Sequence, residues 1–508
     1  MLTTSPLDRP TRRQLLKGVA AFSTSVLFSG CNKALTMSAG SSGQQAAANA
    51  QPTPLGPVSQ AYLTVSAGEA GVIGPGFAGL SYEKSAMCEP LFTGASVDLI
   101  GLFQLLGPGV LRIGGNAVDQ CIWSPGGSGQ TRGQIAPSDV DALAAFLSQA
   151  GWQCIYGINL GGAANGATTP DLAAAEVAYV AQKLGSSLQG IEIGNECDGY
   201  GAPGSYFAGN WSLPQFESLW EQFRSAIVAR TPGVSVSGPA SGSNVSKWTL
   251  PFGQAATQTN LSILTQHYYR GNGQSSSAAA ANLIASDSNL TNCLGLLNTG
   301  ANSIGVPFRI GECNSYFNGG APGVSNAYAS SLWILDFLFN CAQGGAAGVN
   351  LHGGGNVNSY SPIADNSGAV VEARPLFYGM KLFTLAGQGT LVQTNLSAGG
   401  INATAYAVKG PGKAVNLIVV NKDATQNLQL TISMPQSVSS ATLMTMTQLS
   451  SGAQGPSLSA TSGVTIQDAT IDPNGEFSPS APYNLSQDGS QMSCYVPALS
   501  AVLIKTIP

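Results

Sequence analysis

Charge is what this chain has least of. Asp, Glu, Lys and Arg supply 9% of its 508 residues, against about 25% in ordinary soluble domains. Uncharged polar groups and 64 glycines take their place. Beyond the N-terminus no basic run occurs, which argues against nucleic acid, because binding phosphates depends on clustered Lys and Arg. Histidine is scarcer still, with only His267 and His352. The nine cysteines show no Cys-x-x-Cys or Cys/His metal spacing. These shortages speak against a zinc site, and no metal or cofactor is expected. No apolar run reaches the ~20 residues needed to cross a bilayer. The glycine-rich segments 161–166 and 353–355 lack the spacing and lysine of a phosphate loop and read as tight turns at strand ends.

What is present begins with an address. Arg12-Arg13 followed by the apolar run Val19 to Phe28 is a twin-arginine export pattern. Leu27-Phe28-Ser29-Gly30-Cys31 is similar to a lipoprotein cleavage box. Cys31 is therefore a candidate lipid anchor, with plain cleavage before residue 50 as the alternative. Residues 32–58, rich in Ala, Ser, Gly, Gln and Pro, read as a flexible linker. Cys88, Cys121, Cys154 and Cys341 sit in apolar runs and read as small core residues.

The chemistry concentrates in two short stretches. Ile191-Glu192-Ile193-Gly194-Asn195-Glu196 reads as a buried strand delivering an amide and a carboxylate. Phe308-Arg309-Ile310-Gly311-Glu312 repeats the device 116 residues later (312 − 196). In a parallel barrel, catalytic side chains project from the C-terminal ends of different strands. Two carboxylates meeting there suit glycoside hydrolysis, one protonated as acid and one ionised as nucleophile. Glu192 shares a strand face with Glu196 and reads as a buried carboxylate in need of a partner such as Arg112.

Between about 76 and 385, short apolar strands alternate with helical stretches eight times, near the ~250 residues of a typical (β/α)8 barrel. From 386 to 508 the texture changes to short alternating strands separated by Gly, Ser, Asn and Pro, an antiparallel sandwich pattern. Strand-like residues 59–75 are expected to join it. The fold class is therefore α/β: a (β/α)8 TIM barrel with a C-terminal antiparallel β-sandwich that includes N-terminal strands.

Five stretches together resemble glycoside hydrolase family 79, the β-glucuronidase and heparanase group. They are Leu80-Ser81-Tyr82-Glu83, Leu111-Arg112-Ile113-Gly114-Gly115-Asn116, Ile193-Gly194-Asn195-Glu196, Gln266-His267-Tyr268-Tyr269 running on to Gly273, and Gly311-Glu312 with Asn318-Gly319-Gly320. The resemblance implies a retaining β-glucuronidase with Glu196 as acid/base and Glu312 as nucleophile. It implies that Asn195 touches the sugar 2-hydroxyl and that a tyrosine of the sixth strand, taken as Tyr268, hydrogen-bonds the nucleophile. Glu83 and Asn116 match positions that contact sugar hydroxyls. Asn318, Gly319 and Tyr360 match those holding the uronate carboxylate, and Phe317 stands where another tyrosine is expected. Arg270 is an alternative counter-ion. The implied partner is a β-glucuronide carbohydrate, and a monomer is expected. The rival readings are a barrel glycosidase for a neutral β-xyloside or β-glucoside, and a non-catalytic carbohydrate-binding lipoprotein.

Overall fold

The structure is a computed structural model that describes residues 49–256, 261–449 and 455–508. The twin-arginine segment, Cys31 and most of the linker lie outside the described residues. The described end of that linker is not a free tether. Asn49 Nδ2 donates to the carbonyls of Ala481 and Pro482 at 3.0 and 2.8 Å, and the side-chain amide of Gln51 exchanges two hydrogen bonds with the Tyr495 backbone.

Strand β1 (Val58–Ile73) enters the sandwich sheet. Eight parallel strands then close a barrel: β2 (Ala78–Glu83), β3 (Val110–Gly114), β4 (Gln153–Ile158), β5 (Leu188–Ile193), β6 (Val236–Ser241), β7 (Leu261–Asn272), β8 (Phe308–Phe317) and β9 (Val349–Gly353). They are buried on both faces because helices cover the outside, so they read as near-continuous apolar runs rather than alternating ones. Leu111, Ile113, Ile191, Ile193 and Ile310 are all fully buried. The N-terminal end of the barrel is plugged by Arg309, whose Nη2 donates to the Gly76 and Val349 carbonyls at 3.0 and 3.2 Å. A Cβ on Gly348 would meet Arg309 Nη1 at 2.2 Å, which is why a glycine stands there. Burial pulls the Arg309 guanidinium down to about 10.

Seven longer strands join β1 in a second sheet: β10 (Gly389–Ser397), β11 (Ala403–Lys409), β12 (Val415–Asn421), β13 (Asn427–Ser433), β14 (Ser440–Gln448), β15 (Gln491–Val496) and β16 (Ser500–Ile507). β1 sits between β10 and β13. Its pairing with β13 is parallel, against the antiparallel pattern elsewhere in this sheet. The sheet encloses its own core of Leu63, Leu417, Val419, Leu430, Leu443 and Ile504. Alternate residues of β12, Ile418 and Val420, join the core of the barrel instead, so one strand serves both cores through its period of two.

One ion pair pins the sheet to the barrel. Asp336, on the helix Tyr328–Gln343, accepts from Lys422 Nζ and from the Thr404 and Tyr406 hydroxyls, the last at 2.9 Å. The Lys422 side chain is 4% exposed. Removing one partner of a buried pair strands the other charge, at a cost of about 3–5 kcal/mol. Asp336→Ala is therefore expected to lower the urea midpoint markedly, whereas Asp141→Ala, which breaks an exposed pair with Lys183, should leave it nearly unchanged, because solvent screens such a pair. Equal effects would refute the anchoring role.

Candidate active site

The barrel order places β2, β3, β5, β7, β8 and β9 around one mouth, and their C-terminal ends supply the site. β5 ends in a backbone that calls for glycine at position 194. Gly194 has φ +84, and a Cβ there would meet Cys197 Sγ at 2.4 Å. Glu196 itself sits at φ 47, ψ 45, in the left-handed region that a non-glycine residue enters at a cost of ~1–3 kcal/mol. Its amide donates to the Ala240 carbonyl at 2.8 Å. On β8 the pairing with β7 slips between Ile310 and Glu312. Such a bulge re-aims the next side chain, here Glu312 at the mouth.

Arg112 organises the floor. It is fully buried. Its Nε donates to Glu192 at 2.6 Å, Nη1 to Glu312 Oε2 at 2.8 Å, and Nη2 to Asn195 Oδ1 at 2.8 Å. The expected Arg112–Glu192 pair is present. With Oδ1 committed to Arg112, the Asn195 amide must present Nδ2 as a donor, and Asn116 Oδ1 accepts from it at 3.3 Å. Burial lowers the Arg112 pKa, but Glu192 and Glu312 outweigh it and the guanidinium is held more firmly than usual.

Both histidines face this site, which sequence reasoning missed. His267 Nε2 lies 3.2 Å from Arg112 Nη2 and Nδ1 lies 3.0 Å from Glu196 Oε1. A guanidinium can only donate, so Nε2 accepts and the ring proton sits on Nδ1, aimed at Glu196. That leaves Glu196 Oε2 as the oxygen free to carry a proton toward the cleft. His352 Nδ1 lies 3.1 Å from Ser81 Oγ and 3.7 Å from Glu312 Oε2. Burial works against its charged form, yet Glu312 and Glu83 raise its pKa above the ordinary value. The signal was available: the chain's only two histidines each stand near the end of an apolar strand run.

Glu312 is the ionised member. Burial alone would push its carboxyl up, but the His352 and His267 rings, the Arg112 guanidinium and the Tyr269 hydroxyl hold it well below the usual carboxylate range. That direction stands with His267 neutral, because Arg112 is permanently charged. One oxygen of Glu196 and one of Glu312 lie within 4.8 Å of each other.

The tyrosine assignment needs correction. Tyr269 OH, not Tyr268, donates to Glu312 Oε1 at 2.8 Å. Tyr268 OH donates to Asp287 at 2.8 Å. Side chains alternate along a strand, so once His267 faces the mouth Tyr269 does too and Tyr268 faces away. Arg270 is also spent elsewhere, on Asp287 at 3.0 Å and on the Ala285 and Ser286 carbonyls. A hydrogen bond to a charged group is worth ~1.5–3 kcal/mol, so Tyr269→Phe is expected to lower kcat/KM by roughly 10–10²-fold. Tyr268→Phe should leave it near the wild-type value. The reverse ranking would refute the assignment.

The other expected residues gather on one side of the carboxylates. Glu83 Oε2 accepts from the Ala117 amide at 2.7 Å, and Glu83 Oε1 lies 3.6 Å from His352 Nε2. Asn318, Gly319 and Gly320 have φ of 61, 79 and 84, a tight coil that brings the Gly319 carbonyl to 3.4 Å from the Tyr360 amide. A Cβ on Gly320 would meet that amide nitrogen at 2.8 Å. The rings of Tyr360 and Tyr269 lie 6.3 Å apart. Phe317 is set edge-on to Tyr269 at 6.3 Å, while Tyr316 OH points to the Ala279 carbonyl. A phenyl ring therefore occupies the position where a tyrosine is expected.

Asp119 and Tyr200 are further residues the sequence did not single out. Tyr200 OH donates to Asp119 and accepts from the Asn195 amide at 3.2 Å, bracing the backbone beside Glu196. Burial pushes Asp119 up to about 6 against the bonds from Tyr200, Gly161 and Leu160. Glu196, His267 and Glu312 lie close enough together to grip a small cation. Both oxygens of Glu312 and both nitrogens of His267 are already engaged, so a cation would have to displace a permanent guanidinium.

A carboxylate held ionised beside a buried arginine, faced by a second and more exposed carboxylate, fits the paired-carboxylate chemistry of glycoside hydrolysis. A family model described as "Glycosyl hydrolase family 79, N-terminal domain" matches residues 114–339. Two curated relatives are β-glucuronidases. The one from Aspergillus niger is 33% identical over 121 residues, 23% of this chain and 22% of that protein. The one from Neurospora crassa is 39% identical over 75 residues, 14% and 13% of the two chains. The aligned parts thus span less than a quarter of either relative. Among solved structures, a 4-O-α-L-rhamnosyl-β-D-glucuronidase from Fusarium oxysporum 12S superposes with TM-score 0.71 at 18% identity, covering 88% of this chain and 100% of that one. An α-L-arabinofuranosidase from Thermotoga maritima gives 0.64 at 15% identity, covering 88% and 100%. Residues 114–339 of the chain thus resemble the N-terminal domain of glycosyl hydrolase family 79.

Proposed function

We propose that this chain is a retaining β-glucuronidase. The carrying observation is the approach of Glu196 and Glu312 oxygens to within 4.8 Å. Retaining glycosidases hold their carboxyl groups ~5–5.5 Å apart, and inverting ones ~6.5–9.5 Å to admit a water. Glu312 attacks the anomeric carbon as Glu196 protonates the leaving oxygen. Water, giving its proton back to Glu196, then frees the sugar. The β-glucuronidase names of the relatives support the glycone assignment. So does the neutral cradle of Asn318, Gly319 and Tyr360, which can hold a uronate through backbone and hydroxyl donors without a buried cation.

The barrel order also suggests which way the substrate lies. Passing from Glu312 on β8 to Glu196 beyond β5 by way of β9, β2 and β3 meets Tyr360, Glu83 and Asn116. The other way, by β7 and β6, meets a cavity of about 430 Å³ lined by Ser243, Asn244, Lys247, Asn289 and Asn292. The glycone belongs to the first sector and the leaving group to the second. We further propose export by the twin-arginine route to the periplasm or beyond, with Cys31 as the site of any lipid anchor, on the strength of Arg12-Arg13 and the apolar run after them.

The test is turnover of nitrophenyl β-D-glucuronide beside the β-D-glucoside and β-D-xyloside. Selective glucuronide hydrolysis with a β-configured first product is expected. Hydrolysis of a neutral glycoside alone would keep the two glutamates and overturn the Asn318–Gly319–Tyr360 assignment.

A further inference from the structure

The second sheet turns one face away from the barrel. Leu63 of β1, Leu430 of β13 and Cys494 of β15 share a core with Leu417 and Val419 of β12, and β12 packs its other face on the barrel. The residues alternating with Leu63, Leu430 and Cys494 therefore face outward. The strand register sets them in rows. Tyr62 stands between Ser397 of β10 and Thr431 of β13, and Thr431 stands beside Ser493 of β15. In the row before, Gln60 faces Gln429, which faces Tyr495. None of these side chains is charged, and neither are Thr64, Asn395 and Ser433 in the row beyond.

Two observations point to a ligand. Tyr62 is 57% exposed, an aromatic ring laid open among polar side chains. Next to its row, where Gln51 is bonded to the Tyr495 backbone, a cavity of about 170 Å³ is lined by Gln429, Ser493, Tyr495, Asn484 and Ser486. The hydrogen-bonding capacity of this place is only part used. Gln60 Nε2 donates to Gln429 Oε1 at 2.7 Å. Among the described residues, that bond leaves the Gln60 oxygen to accept and the Gln429 nitrogen to donate.

We propose that this face is a second carbohydrate-binding site, apart from the catalytic cleft, and that it takes a neutral polysaccharide. A pyranose ring offers a C–H face that lies on an aromatic ring and hydroxyls that both donate and accept. Tyr62 and Tyr495 meet the first need, since each joins an apolar ring to a polar tip. They stand two strands apart, about 10 Å, so one run of sugars can touch both. The Gln, Ser and Thr side chains between them meet the second. The rows hold no cation for a uronate or sulfate, and Asp488, paired with Gln491 at the sheet edge, repels one. A protein partner fits less well, because the centre of such interfaces is mostly apolar. The site keeps the enzyme on the polymer whose glucuronate the barrel removes. That role rests on the glucuronidase reading; the binding itself does not.

The full chain would be run on native gels containing mixed-linkage β-glucan, β-1,4-galactan or, as the anionic control, polygalacturonate, and would be mixed with insoluble cellulose. We expect retention by at least one neutral polymer and weaker retention by polygalacturonate. Tyr62→Thr removes the ring but keeps a β-forming residue. It should weaken that binding about 10-fold, the scale of one ring contact, at an unchanged melting temperature. If it melts early, Gln429→Ala gives the same test from within the cavity. No retention by any neutral polymer, stronger retention by polygalacturonate, or full binding by the variant would overturn the proposal. So would a dimer in sedimentation that Tyr62→Thr dissociates, which would make the face a contact between two copies of this chain. None of these readouts uses glycosidase activity, so the proposal and the glucuronidase reading fail separately.

Discussion

Glu312→Ala should abolish turnover of every β-glycoside substrate, with a loss on the order of 10⁶-fold, the scale on which removing a nucleophile acts. Glu196→Ala should behave differently. A nitrophenolate leaves without a proton, so the first step survives and the glycosyl-enzyme accumulates for want of a base. Added azide, which needs no base, should restore turnover and give the β-glycosyl azide. On substrates with poor leaving groups the same variant should lose ~10²–10⁴-fold, the range of general acid catalysis. The asymmetry follows from the site. Arg112 and Tyr269 hold both oxygens of Glu312 in acceptor roles, so it serves as an anion. Glu196 receives one hydrogen bond, from His267, on a single oxygen, and its side chain is 38% exposed toward the cleft. Equal losses for both variants on both substrate types would overturn the division of roles.

What could be read from the sequence was whatever is encoded locally. A parallel barrel strand is a short apolar run, and a run that ends in a carboxylate marks the barrel mouth. On that basis Glu196, Glu312 and eight strands were visible; in the structure β8 runs five residues beyond Glu312, to Phe317. Glu192 with Arg112 was legible too, because a carboxylate inside an apolar strand demands a cation. The errors have a common origin. Choosing Tyr268 over Tyr269 meant fixing parity along β7, and parity is set by what His267 touches across the barrel. The Asp119–Tyr200 brace joins residues 81 positions apart, and neither stands in a local pattern that announces the other. The docked stretch from Asn49 was masked by its composition: Gln and Asn, typical of linkers, are also the side chains that satisfy a sheet edge.

Arg112 is where stability and catalysis should fail together. Arg112→Met would leave Glu192 and Glu312 buried without a counter-charge. Breaking one buried pair costs about 3–5 kcal/mol, a large part of the ~5–15 kcal/mol that holds a domain folded. The variant is expected to unfold at much lower urea at pH 7. Glu312 supplies the sign of the pH dependence. Its folded pKa lies below its unfolded one, so its stabilisation is present above the unfolded value of about 4.3 and is lost as pH falls toward the folded value. The gap in urea midpoint between wild type and Arg112→Met should therefore narrow as pH falls below about 4. The acid limb of kcat/KM should move the other way, to higher pH, because one of the groups that oppose burial at Glu312 is then gone. Arg112→Lys separates the two effects. It keeps the charge, but a single ammonium cannot reproduce the planar fork that reaches Glu192, Glu312, Asn195 and His267 together. That variant should recover much of the stability while Asn195 and His267, freed of their donor, lose their fixed orientations and activity stays low. An acid limb unmoved in Arg112→Met would show that other groups keep Glu312 ionised.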